Sequence, residues 1–120
     1  MATTVTFKIE VTNLVHPSTN TIYENVKAVD GENLYQAMCT LEKIPGSGFT
    51  FKSEESSYGH FITSINCLDQ DTTKDDYWTI RINKLEIWAP KGVDELYPKQ
   101  DEKYIFAYTN TSDDHANKMK

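Results

Sequence analysis

The chain has 120 residues, enough for one hydrophobic core, and its 38% hydrophobic content is lean for a compact domain without reaching a disordered composition. Eighteen acidic against twelve basic residues give a net charge of −6, which repels phosphate backbones and anionic lipid and so excludes nucleic acid and membrane surfaces as partners. No apolar run is long enough to span a bilayer, and Met1-Ala2-Thr3-Thr4 has neither the basic nor the apolar stretch of a secretory signal, so an exported protein is expected to have lost its signal.

Residues 4–12 alternate, with Val5, Phe7, Ile9 and Val11 on one face and Thr4, Thr6, Lys8, Glu10 and Thr12 on the other, the period of a half-buried strand. His16-Pro17-Ser18-Thr19-Asn20 is a turn cluster, and Thr21 to Val29 is a second β-rich segment that pairs back as a hairpin. Asp30 is the expected cap of a helix with Glu32 in its first turn. Leu34, Ala37, Met38 and Leu41 recur at helical spacing, and Pro45-Gly46-Ser47-Gly48 ends the helix near Lys43. Phe49 to Lys52 and Phe61 to Cys67 read as strands separated by polar Ser53 to Ser57. Tyr77 to Asn83, the short Leu85 to Trp88 and Lys103 to Thr109 follow, with turns at Ala89-Pro90-Lys91-Gly92 and at Pro98 to Glu102. Residues 1–110 form one domain, and residues 111–120 read as a flexible tail. This order predicts an α+β fold, one mixed sheet with a single helix packed on one face.

Motifs for catalysis are missing. Gly46-Ser47-Gly48 lacks the strand–turn–helix setting of a nucleophile elbow, and no glycine loop cradles a phosphate. His16, His60 and His115 are isolated in sequence and read as surface or turn residues. The acidic run Asp69, Asp71, Asp75 and Asp76 has no central glycine or closing glutamate and is interrupted by Lys74, so it reads as a solvated loop rather than a calcium site. Asp94 and Glu95 read as turn and surface charges. Cys39 and Cys67 are the whole thiol inventory: one disulfide between them is expected, with two buried free thiols as the alternative, and neither zinc nor dithiol redox spacing is present. Asn110-Thr111-Ser112 is a glycosylation sequon.

Between Tyr58 and Asn66, hydroxyls and an amide alternate with apolar residues, and Tyr77-Trp78 follows at a distance. This composition suits a large ligand held by many modest contacts, and it equally suits ordinary strand residues with core or edge aromatics. Phe49-Thr50-Phe51, Ser57-Tyr58-Gly59, Ile62-Thr63-Ser64-Ile65-Asn66, Tyr77-Trp78, Gly92-Val93-Asp94-Glu95-Leu96-Tyr97-Pro98 and Tyr104 to Thr109 together resemble the C-terminal β-domain of the cobalamin carriers intrinsic factor, transcobalamin and haptocorrin, and its stand-alone bacterial versions. The resemblance implies a β-grasp fold and an extracellular, secreted binding domain rather than an enzyme. It implies no required cofactor, with cobalamin or another corrinoid as candidate ligand and Tyr58, Thr63, Ser64, Ile65, Asn66, Tyr77 and Trp78 as ligand-binding residues. No counterpart of the carriers' helical-barrel domain is read in these residues, so such a ligand is expected to be only partly buried. The alternative is an extracellular module that uses the same surface for a protein partner.

Overall fold

The computed structural model describes residues 3–15, 20–57, 59–89 and 92–110. Strand β1 (Thr4–Asn13) pairs antiparallel with β2 (Asn20–Val29), as the alternation predicts. The pairing has one defect: Phe7 faces Val26 while Ile9 faces Tyr23, so Lys8 stands opposite both Glu24 and Asn25, and Asn25 adopts a φ of 59°. This bulge keeps Tyr23, Val26 and Ala28 on the inward face, because an unbroken two-residue period would turn Tyr23 outward.

Helix α1 (Leu34–Lys43) buries Leu34, Ala37, Met38 and Leu41, the stripe read from the spacing. Its cap is Asn33 rather than Asp30. The Asn33 side chain accepts from the Gln36 amide at 2.8 Å while Gln36 Oε1 accepts from the Asn33 amide at 2.9 Å, a reciprocal capping box. Asp30 and Gly31 lie in a turn, and the Glu32 carboxylate turns back to accept from the Val29 amide.

The remaining strands are β3 (Phe51–Ser56), β4 (Gly59–Ile65), β5 (Leu68–Asp69), β6 (Asp76–Ile82) and β7 (Lys103–Asn110). They form two sheets rather than one: a four-stranded mixed sheet in the order β2-β1-β7-β6 and a three-stranded antiparallel sheet β3-β4-β5. Strand β7 runs parallel to β1 and antiparallel to β6, so the first and last strands of the described chain are neighbours in mid-sheet. The helix stripe shares one core with Phe7, Ile9 and Val11 of β1 and Tyr104 and Phe106 of β7, with Val5 at its border, and Ile62 and Ile65 join it from the second sheet. Each such side chain contributes roughly 1.5–3 kcal/mol by leaving water. The fold is α+β, with the helix on one face of the mixed sheet. On the other face buried Arg81 lies 4.2 Å from the Trp88 ring, where Leu85 to Trp88 forms a single bridge to β6 rather than a strand.

The cysteines are not joined. Cys39 is half-buried on α1, whereas Cys67 is exposed at the tip of the β4–β5 hairpin, where Asn66 and Cys67 take φ values of 50° and 70°. Two successive left-handed residues make the tight turn that antiparallel strands favour, and this turn leaves Cys67 exposed to solvent. The expected Cys39–Cys67 disulfide is therefore corrected to two free thiols. Asn110 ends β7 with its carboxamide nitrogen donating to the Lys74 carbonyl and Asp76 Oδ1, so its nitrogen is committed to the fold. Thr111 and Ser112 of the sequon, the tail with His115, and the His16–Thr19 part of the first turn lie outside the described residues.

Candidate functional site

An apolar depression lies where β4 of the small sheet meets β6 of the large one, a cavity of about 360 Å³. Trp78, Ile80 and Phe106 form its floor. Ile62 and Val93 extend the apolar wall, and His60, Gln70 and Tyr77 also line the cavity. Trp78 is held by a 2.8 Å bond from Nε1 to the Leu68 carbonyl and by the Tyr108 ring, 5.1 Å away between centroids. Tyr108 donates in turn to the Asp69 carbonyl at 2.8 Å, so the two sheets are pinned together beside the cavity. Burial holds the Tyr108 phenol above its ordinary pKa.

The wall contributed by β4 depends on a second bulge. Lys52 faces Ser64 while Ser53 faces Ile62, which leaves Thr63 as the extra residue. Simple alternation puts Ile62 and Ile65 on opposite faces; the bulge lets both turn into the core.

His60 is the most constrained polar group of the lining. Its ring stacks on Tyr35 of α1 at 4.0 Å and 10°, Nδ1 lies 2.9 Å from Asp94 Oδ2, and Nε2 lies 3.3 Å from Glu55 Oε1. Asp94 is placed by the helix. The free amides of Leu34 and Tyr35 in its first turn donate to the carbonyls of Leu96 and Val93, and Asn33 Nδ2 donates to the Asp94 carbonyl. Helix N-termini carry such unsatisfied donors, and here they fasten the segment 92–97. Asp94 Oδ1 also accepts from the His60 amide at 3.3 Å.

The hydrogen bond to Asp94 raises the His60 pKa above its ordinary value; desolvation opposes the shift, and the charges of Asp94 and Glu55 add to it. The folded pKa therefore exceeds the unfolded one. The stabilisation is fully present below the unfolded pKa and is lost as pH rises through the folded one. An NMR titration of the His60 ring is expected to give a midpoint above 6.5, moving down in Asp94→Asn. A wild-type midpoint at or below the ordinary value would contradict this geometry.

Of the seven residues expected to bind ligand, Tyr77 and Trp78 line the cavity. Ile65, Asn66 and Trp78 border a separate depression of about 200 Å³. Ser64 and Ile65 are buried, and the Thr63 carbonyl accepts from the Gln70 amide. Asn66 accepts from the Thr50 amide at 2.9 Å and donates to the Tyr23 hydroxyl at 3.0 Å, so it braces the turn. Tyr58 lies outside the described residues. The sequence reading missed His60 and Asp94, which are 34 positions apart; the one local signal was Gly59 beside His60.

In the acidic run, Asp71 accepts from the Thr73 amide and hydroxyl in a tight turn, and the hydroxyl bond holds its carboxyl below the usual range. No group of three or more potential metal ligands occurs among the described residues. Among them no helix is long and apolar enough to cross a membrane.

A family model described as a domain of unknown function, DUF4430, matches residues 31–110. No curated protein matches the chain in sequence. Among solved structures, haptocorrin in complex with Cbi shares the fold with a TM-score of 0.76 and 18% identity, over 91% of this chain and 26% of that one. The chain thus spans about a quarter of that haptocorrin chain. A protein from Ruminococcus gnavus ATCC 29149 to which metal binding has been ascribed matches with a TM-score of 0.70 and 15% identity, over 88% of this chain and 96% of its own. At these identities the likeness is one of fold, and it agrees with the resemblance to the carriers' β-domain.

Proposed function

The chain belongs to the DUF4430 family, and from that premise we propose that it is a non-catalytic binding domain whose ligand, a bulky small molecule, enters the cavity between β4 and β6. The observation that carries this reading is the cavity itself: an apolar floor of Trp78, Ile80 and Phe106 with a few hydrogen-bonding side chains in the lining is the usual make-up of a small-molecule site. A corrinoid such as cobalamin is the first ligand to try. Support for it comes from the fold shared with haptocorrin, whose structure holds Cbi. In this reading the domain works outside the cell and needs no cofactor.

Titration with cobinamide and cobalamin, followed by visible spectra and calorimetry, is expected to show saturable binding. Gln70→Ala, which removes a polar side chain from the lining without opening the core, is expected to weaken it by about 0.5–1.5 kcal/mol. A folded protein that binds neither corrinoid overturns the corrinoid assignment. The half-exposed Phe61 at the cavity wall then favours the second reading, docking of a protein partner on the same surface.

A further inference from the structure

Resting on the reading of this cavity as a ligand site, we infer that His60 makes it selective for an apolar molecule carrying an anionic group, a carboxylate or its equivalent, which displaces Glu55 from His60 Nε2. The two carboxylates on the ring are not alike. Asp94 is built in: its side chain is 28% exposed, it accepts from both the ring and the amide of His60, and its own carbonyl is tied to the capping residue of α1. Glu55 reaches the other nitrogen from β3 with a side chain 82% exposed, at the longer distance of 3.3 Å. Solvent-exposed ion pairs of this kind contribute little and exchange readily. Glu55 thus occupies the position on Nε2 that a ligand's own anion would take, and His60 itself lines the apolar cavity that would receive the rest of that molecule.

The proton inventory sharpens the selectivity. The groups facing His60 are Asp94 from the segment 92–97, Glu55 from β3 and the Tyr35 ring from α1. Because Asp94 retains the Nδ1 proton, the charged ring loses its proton from Nε2. Deprotonation therefore converts the atom available to the ligand from donor to acceptor. An anionic group is bound below the His60 midpoint and refused above it.

Two dyes with the same apolar body test this in the full chain by fluorescence titration: 1-anilinonaphthalene-8-sulfonate and N-phenyl-1-naphthylamine, which lacks the sulfonate. Below the His60 midpoint the sulfonate is expected to bind about tenfold more tightly, the usual scale of one charge-assisted hydrogen bond. The preference disappears as pH rises through that midpoint and in His60→Gln. Glu55→Gln removes the resident competitor at an exposed position and is expected to increase the preference, an opposite sign that a damaged fold would not produce. Equal affinities for the two dyes, or a preference that survives in His60→Gln, overturn the inference and leave the cavity as a ligand site. If neither dye binds, the inference and the cavity reading fall together.

Discussion

Phe106→Ala is expected to lower the stability of the fold by about 3–5 kcal/mol, the range for deleting a fully buried aromatic side chain. Phe106 is 0% exposed on the central strand β7, opposite Val11 of β1 on one side and Ile80 of β6 on the other. Its ring is at once part of the core and part of the cavity floor. Truncation removes packing from the core and merges the void with the cavity. Denaturant unfolding should show a lower midpoint with an unchanged slope. Phe61→Ala, at a half-exposed position, serves as the control with little change. A loss below about 1 kcal/mol for Phe106→Ala would mean that the region collapses freely and that the cavity is not held open by the fold.

Gly59→Ala is expected to cost about 1–3 kcal/mol, the scale for a residue forced into a sparsely populated backbone region. Gly59 has a φ of 106°, and a Cβ there would lie 3.1 Å from both Asp94 Cγ and Oδ2. The carboxylate has to give by a few tenths of an ångström, which loosens its hold on the His60 ring and amide. The substitution should therefore lower the His60 midpoint along with the melting temperature. A variant with unchanged melting and an unchanged His60 titration would show that the close approach at Gly59 plays no part in holding the pair.

The sequence made the strongly periodic elements legible. Alternation from Val5 to Val11 and helical spacing from Leu34 to Leu41 each report a face that must be buried, and both faces meet in one core. Breaks in period were hidden. The extra residues at Glu24–Asn25 and Thr63 have no distinctive side chains, yet each reverses which residues face inward beyond it. The ligand-binding reading of Thr63, Ser64 and Ile65 rests on the resemblance to the carriers, and the bulge that sets the direction of these side chains has no local signal in the sequence. The division into two sheets was equally illegible, since strand propensity does not say which edges pair. His60 and Asp94 escaped for another reason. Their juxtaposition is made by carbonyls of the segment 92–97 caught on the first turn of α1, and side-chain identity does not encode backbone donors. Tyr77 and Trp78, named on the resemblance, both line the cavity.

The parallel seam between β1 and β7 also decides how the molecule can be assembled. On a ribosome the inner edge of β1 emerges before every other described strand and its mate β7 after them, and closing a loop that spans nearly the whole described chain carries an entropic cost that no local contact repays beforehand. Until β7 arrives, Phe7, Ile9 and Val11 lack their neighbour on the inner edge of β1. Neither half of the chain is a self-sufficient folding unit, and trimming from either end strikes the middle of the sheet before it reaches an edge.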